Sequence, residues 1–282
     1  VSGPEGPGGG AVRPGRRDGG GVSLEPGRRH PTAVIDPDAE LADSVSVGPF
    51  AVVGPGVRLE AGVKVGPHVL VERDTVVGEE CQLHHGAVLG TDPQDLKYDG
   101  EESWLRVGPR TVVREYATLN RGTAASGTTR VGSDCLIMAY AHVAHDCTLG
   151  DRVILANSVA MGGHVEIGER ANVGGLVAIH QFVRIGRHAF VGGGSRVVQD
   201  VPPYVTVAGN PCNAYGINTE GLRRRDFDPG VVQALRRAYR DVFRSDRHIG
   251  AALEALEAEG GHSGEVEEML DFIRSSERGV TT

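Results

Sequence analysis

The chain has 282 residues, with 42 glycines, only 5% aromatic residues and a formal net charge of −8. That length supports one large domain or two modest ones, and the acidic balance excludes nucleic acid as the partner of the surface as a whole. No apolar run approaches the roughly 20 residues of a membrane helix, and no signal-peptide pattern is visible. The cysteines (Cys81, Cys135, Cys147, Cys212) lack CxxC or disulfide-framework spacing, so a reducing, cytoplasmic setting without stable membrane insertion is expected.

Residues 1–29 are rich in Gly, Pro and Arg with almost no large apolar side chain. Such a segment buries too little surface to offset its ordering entropy, so a disordered arm is expected there. From Ile35 a period of six takes over. Aliphatics recur at every sixth position from Ile35 to Leu89, from Val107 to Leu119, and from Val131 to Val197, 25 hexads in all. Glycine often follows the aliphatic, as in Val47-Gly48, Val65-Gly66 and Ile185-Gly186, and a small or β-branched residue (Ala51, Cys135, Ala141, Cys147) often stands two places before it.

In-out-in alternation over three residues makes a very short strand, and a Gly or turn-prone residue is expected to bend the chain before the next one. A helix needs a 3.6-residue period and does not tolerate this density of Gly and β-branched residues. Three strands per 18-residue turn, stacked turn on turn, give a parallel β-helix with a thin aliphatic interior. The pattern therefore predicts an all-β solenoid over 30–204, interrupted by loop insertions at 91–104 (TDPQDLKYDGEESW) and 121–130 (RGTAASGTTR).

After Val201-Pro202-Pro203 the hexads stop, and 205–282 read as a small C-terminal α-helical domain. Asp228-Pro229 looks like an N-cap followed by Pro at N1, and two further short helices are expected near 248–258 and 263–276. Between Arg223 and Arg247 lie eight arginines against four aspartates. This segment reads either as a solvated face or as a dock for an acidic partner.

The stretch Tyr140–Cys147, YAHVAHDC, gathers two histidines and a carboxylate into five positions. With Val143 inward, His142 falls on the outer wall and His145 and Asp146 at a coil corner. His164 and His180 follow at about one coil each. Two chemistries use such a set. A neutral His takes a proton from a hydroxyl while a carboxylate orients it, or three histidines hold Zn²⁺ with one position open to water.

AHVAHDC, QDLKY (94–98), NRGT (120–123), GGH (162–164), IHQF (179–182), QDVPPY (199–204) and NTEGLRRR (218–225) together resemble the UDP-N-acetylglucosamine O-acyltransferase family, which opens lipid A synthesis. The likeness runs from about His30 to near the C-terminus. It implies a left-handed parallel β-helix, an exception to the right-handed crossover rule, and a homotrimer with active sites in clefts between subunits. It implies transfer of an (R)-3-hydroxyacyl chain from acyl carrier protein to the 3-hydroxyl of UDP-N-acetylglucosamine. No metal or resident cofactor is implied, the donor being the 4'-phosphopantetheine-bound carrier protein. His145 matches the general base, Asp146 its orienting carboxylate and the Gly163 N–H the oxyanion donor. Asp95, Lys97, His142, His164, Gln181, Asn218, Glu220 and Arg224, with His180 of IHQF beside them, match positions lining the nucleotide-sugar, acyl and pantetheine sites. The arginine-rich tail matches the region that meets the carrier protein.

Gly193 falls where the family's acyl-length ruler lies, and its missing side chain implies a longer chain. Asn120 stands where some relatives carry His. The arm before the solenoid is too short and polar for the uridine-binding domain of the related N-acyltransferase, which favours O-transfer. Readings of other classes are a γ-carbonic-anhydrase-like zinc enzyme, a non-catalytic solenoid, and an acetyl-CoA-dependent hexapeptide acetyltransferase. The first would need no nucleotide loop, the second no histidine cluster, and the third would take CoA in place of carrier protein.

Overall fold

The computed structural model describes residues 24–282. Among these, each of the 25 hexad aliphatics lies in a short strand, from β1 (Val34–Ile35) to β25 (Arg196–Val197). The strands stack in parallel into three sheets that form the faces of a prism. Sheet A begins at Ser46–Val47, sheet B at Val34–Ile35 and sheet C at Glu40–Leu41, and the chain visits A, B and C in turn. A regular coil advances 18 residues, as in the pairing of Leu136 with Ile154. In each two-residue strand the aliphatic turns inward to a continuous core, in which Val47, Leu89, Ile137, Leu155 and Val191 have no exposed surface.

The corners depart from the expectation that glycine makes the bend. The residue three places after the inward aliphatic has φ near +60°, and it is bulky at corner after corner: Phe50, His68, Tyr116, Tyr140, Asp146, His164 and Phe182 all adopt it. The glycine directly after the aliphatic answers a different constraint. A Cβ on Gly66 would come 2.8 Å from the Leu83 carbonyl oxygen of the next coil. It is the rise between coils, not the turn, that demands glycine there.

The three edges differ in chemistry. The A/B edge carries an aromatic and histidine ladder, with Phe50 stacked on His68 at 5.1 Å and Tyr116 on Tyr140 at 5.4 Å. The C/A edge carries charges, such as Arg110 paired with Asp134 at 2.8 Å. The B/C edge carries both insertions and, one coil later, His145 and Asp146. The faces differ too. Sheet C turns Glu40, Arg58, Arg106, Arg130, Glu166 and Arg184 outward, whereas sheet B turns out Val34, Val52, Leu70 and Val88, and upper sheet A turns out Val112, Leu136, Ile154 and Phe190.

Several boundaries move. Residues 1–23 of the expected arm lie outside the described residues, but 24–29 are paired: Arg29 bridges Val47, and the Ser46 hydroxyl donates to the Glu25 carbonyl at 2.9 Å. The insertions narrow to 92–103 and 121–127, because Val88–Thr91, Trp104–Val107 and Thr128–Val131 are strands. Nor does the C-terminal region start helical. β26 (Val205–Ala208) extends sheet A, and β27 (Asn213–Ile217) folds back antiparallel on it. Helices follow as α1 (Thr219–Arg223), α2 (Pro229–Phe243), α3 (Ile249–Glu259) and α4 (Gly264–Arg274). Asp228 caps α2 as its sequence suggests, accepting from the Gly230 and Val231 amides. Arg184 of sheet C lies 4.4 Å over the Phe272 ring of α4 and ties the helices to the solenoid. No helix among the described residues is long and apolar enough to cross a membrane.

Arg121 fastens the insertions. Its side chain is 1% exposed, yet its guanidinium reaches the Gly90 carbonyl (3.0 Å), the Tyr98 hydroxyl (3.1 Å), Asp74 (3.3 Å), the Ser103 carbonyl (3.5 Å) and the Asp92 carboxylate. One buried cation thereby holds both ends and the middle of the 92–103 loop. Arg121→Ala leaves buried carbonyls without donors, at a cost of about 1–3 kcal/mol. It should lower the melting temperature and raise hydrogen exchange selectively over 92–103; unchanged exchange there would remove Arg121 as the anchor.

Candidate active site

The hexad frame places His145 two residues and Asp146 three residues after inward Val143, at the B/C corner. Directly above stand Gly163 and His164, and above those Gln181 and Phe182. The stacking is tight. A Cβ on Gly163 would fall 2.4 Å from Cε1 of His145, so only glycine lets that ring lie flat under the next coil. His164 packs edge-on to His145 with centroids 5.2 Å apart and stacks on Phe182 at 4.5 Å.

An imidazole at a solenoid corner is ordinarily exposed, but His145 is only 8% exposed and Asp146 7%. The second insertion covers them. Asp146 Oδ1 accepts from the Thr123 amide at 2.9 Å and from the Ser126 hydroxyl. Its Oδ2 accepts from the Thr123 hydroxyl at 2.7 Å and from His145 Nδ1 at 2.8 Å. Burial on its own would raise the Asp146 carboxyl, but the hydrogen bonds from Ser126, His145 and Thr123 outweigh it and hold the group down at about 2. An ionised carboxylate against Nδ1 fixes the proton there, leaving the Nε2 lone pair free. His142, on the face of sheet B, is held below the usual imidazole range by burial and then by His145, and its Nδ1 lies 2.7 Å from the Thr118 hydroxyl.

His145, Asp146 and His164 also offer ligand atoms within 4.8 Å of one another. The donor set does not suit a metal. Both carboxylate oxygens are already filled by four protein donors, and His145 Nδ1 is spent on one of them.

The Gly163 amide has a different status from its neighbours. Gly162 N–H donates to the Ile179 carbonyl and His164 N–H to the His145 carbonyl, both coil-to-coil bonds. The equivalent position elsewhere in the solenoid is repeatedly proline: Pro49, Pro55, Pro67 and Pro109. A position that accepts proline has no amide duty in the coil, so the Gly163 N–H is available to a ligand.

The other residues singled out from sequence divide into groups. Asp95 and Lys97 lie on the first insertion, at the same B/C edge, where the Asp95 carboxylate accepts the Lys97 amide at 3.0 Å. His180 and Gln181 are exposed two coils above Asp146 on that edge. Asn120 is 2% exposed, and its amide donates to the Thr91 hydroxyl at 2.7 Å and the Asp92 carbonyl at 2.9 Å. Gly193 lies at the far, A/B side of sheet B, exposed, with room for a Cβ limited only by the Gly175 carbonyl at 3.1 Å.

Asn218, Glu220 and Arg224 are elsewhere. They border a cleft of about 700 Å³ on sheet A, whose floor is Ile154, Asn172 and Phe190. The Asn218 side chain is already committed, capping Gly221 at 3.1 Å and donating to the His188 carbonyl at 2.9 Å. Glu220 pairs with Arg224 at 2.8 Å. Sheet A is the face opposite the B/C edge, so one chain does not bring this cleft to His145. Sequence reasoning missed Arg121 and Ser126, which sit in a loop without periodicity, and the sheet A floor, whose residues look like ordinary outward positions.

A family model described as UDP N-acetylglucosamine O-acyltransferase, domain 2, matches residues 200–281, and one described as bacterial transferase hexapeptide (six repeats) matches 128–163. The acyl-[acyl-carrier-protein]--UDP-N-acetylglucosamine O-acyltransferase of Burkholderia lata is 46% identical over 255 residues, spanning 89% of this chain and 97% of its own. That of Halorhodospira halophila is 48% identical over 251 residues, with 89% and 97% covered. The UDP-N-acetylglucosamine O-acyltransferase structure from Moraxella catarrhalis has a TM-score of 0.87 at 40% identity, covering 90% of this chain and 99% of that one. The Arabidopsis UDP-N-acetylglucosamine acyltransferase structure has a TM-score of 0.73 at 33% identity, with 90% and 99% covered. Through near-complete matches in both sequence and fold, the chain belongs to the UDP-N-acetylglucosamine O-acyltransferase family.

Proposed function

We propose that this chain transfers an (R)-3-hydroxyacyl group from the 4'-phosphopantetheine thiol of acyl carrier protein to the 3-hydroxyl of UDP-N-acetylglucosamine, opening lipid A synthesis. The names of its relatives supply donor and acceptor. The observation that supports the chemistry is the His145–Asp146 contact, 2.8 Å long with the carboxylate side chain fully buried. A sugar hydroxyl is too weak an acid to ionise alone, so a base must act as attack occurs. His145 Nε2 takes the 3-hydroxyl proton while the oxygen attacks the thioester carbon, and Asp146 stabilises the imidazolium that forms. The Gly163 N–H, free of coil duty, donates to the thioester oxyanion. Collapse expels the pantetheine thiolate, which takes the proton from His145.

The distribution of surface supports a cyclic homotrimer. Val34 and Val52 on sheet B, and Phe50, Tyr116, Tyr140 and Leu176 on the A/B edge, are large apolar residues left exposed, whereas sheet C is charged. Three wedges with their A/B edges on a common axis bury that ladder and leave three outward-opening clefts, each between sheet B of one copy and sheet A of the next. Such a cleft joins His145 of one chain to the Asn218–Arg224 segment of its neighbour, which a single chain cannot do. Arg236, Arg237, Arg240 and Arg247 project from α2 and the turn after it, exposed, and suit the acidic carrier protein.

His145→Ala should lower kcat at least ~100-fold, the usual scale for a general base, with the trimer intact by light scattering; wild-type turnover would remove His145 from the mechanism. Mixing His145→Ala and Arg224→Ala chains, each inactive alone, should restore activity at about a quarter of the sites, because a random cyclic trimer pairs an intact base with an intact neighbour that often. No rescue would mean that each chain carries its own complete site. With Gly193 leaving the groove open, acyl chains of roughly 12–14 carbons or more should turn over fastest, each added methylene contributing on the order of 0.8 kcal/mol. Preference for 10 carbons or fewer in a panel of carrier-protein thioesters, by the same area argument, would reject Gly193 as the open end.

A further inference from the structure

We propose that Thr123 and Ser126, on the second insertion, are positioning residues that set the basicity of His145 by drawing charge from Asp146. The proposal rests on the reading of His145 as the base. The Asp146 carboxylate receives four hydrogen bonds, and three come from one loop: the Thr123 amide at 2.9 Å, the Thr123 hydroxyl at 2.7 Å, and the Ser126 hydroxyl. The fourth is His145 Nδ1 at 2.8 Å. Ser126 carries a single hydroxyl proton, and although the Thr128 carbonyl lies 3.1 Å away, the nearer and charged oxygen is Asp146 Oδ1.

Anchoring alone does not need this arrangement. The backbone of Asp146 is already fixed, its amide donating to the Thr129 hydroxyl at 2.8 Å. The loop is itself held by Arg121 and by the Glu101 carboxylate, which accepts the Ala124 amide at 3.0 Å. Yet an exposed serine turns its hydroxyl inward to the carboxylate when water would satisfy it. What such donors change is the charge left on Oδ2 for His145. A carboxylate raises the basicity of the imidazole bonded to it in proportion to the negative charge it keeps, and every competing donor takes a share. The other groups facing the pair leave that balance to the loop. His164 Nε2 lies 3.6 Å from Oδ2, beyond a good hydrogen bond; His142 is bonded to Thr118; Glu101 is engaged by the loop amides; and the Cys147 thiol points into the core.

Removing a donor should therefore raise the pKa of His145. Because the base works only when neutral, the acid limb of the kcat/KM profile should move to higher pH in Ser126→Ala and in Thr123→Val. Thr123→Ser, which keeps the hydroxyl, should restore the wild-type position. The experiment follows the His145 ring by NMR in isotope-labelled protein, assigned by the resonance lost in His145→Gln, beside kcat/KM against pH. The expected result is a rise of about half to one pH unit in both readouts for each variant, with the melting temperature of Ser126→Ala close to wild type. An unmoved or lowered ring titration in folded Ser126→Ala overturns the proposal, as does a uniform loss of kcat without displacement of the acid limb. A ring titration that rises while the kinetic limb stays put upholds the tuning and overturns His145 as the base. Should Thr123→Val fail to fold, Ser126→Ala decides the matter alone.

Discussion

Everything in this molecule depends on one register, the stacking of each hexad on the hexad of the next coil. The hydrogen bonds that set it run from coil to coil at every step, as from the Gly162 amide to the Ile179 carbonyl. With the register fixed, a residue's place in its hexad decides whether it fills the core, lines a face or stands at an edge. Chemistry then comes in columns. His145 and Gly163 meet because they hold the same hexad place on adjacent coils, and a Cβ on the upper one would strike the ring of the lower. The imidazole and the idle amide are neighbours by virtue of the repeat.

The repeat alone leaves a corner open to water, and the insertions supply what it lacks. They emerge at the one edge that carries the dyad and are bound to each other through Arg121 and Glu101. Their polar groups converge on Asp146, turning a surface carboxylate into a buried one with all its acceptor positions filled. A buried charge is tolerable only when it is paired and hydrogen-bonded. The loop provides both conditions. The same logic accounts for Arg121, a guanidinium that is hidden and still fully used.

The solenoid was almost wholly legible in the sequence, because a period-six pattern of inward aliphatics has one physical solution. His145 and Asp146 were legible too, as a histidine and carboxylate at a corner computed from Val143. The burial of that pair was not, because it comes from a loop with no periodicity. Nor was the conformation of the corners. Bulky residues such as Tyr140 and Phe182 hold φ near +60° there, so the glycines that drew attention mark close coil contacts instead. The segment 205–217 lost its hexads yet remained sheet, since an antiparallel return strand needs no repeat. The motif around Asn218 was recognisable, but which face it would occupy depends on how the chain folds back after Pro203.

The prolines of this solenoid carry one more consequence. Each one at the place occupied by Gly163 is a record that the coil leaves that backbone donor idle. Where that place holds a residue other than proline, as at Gly163, an amide can stand at the edge unspent by the coil. Such an amide can serve a ligand without breaking a bond of the scaffold. Glycine adds the second condition, since without a Cβ the idle amide of one coil can lie directly over a ring of the coil below, as Gly163 lies over His145.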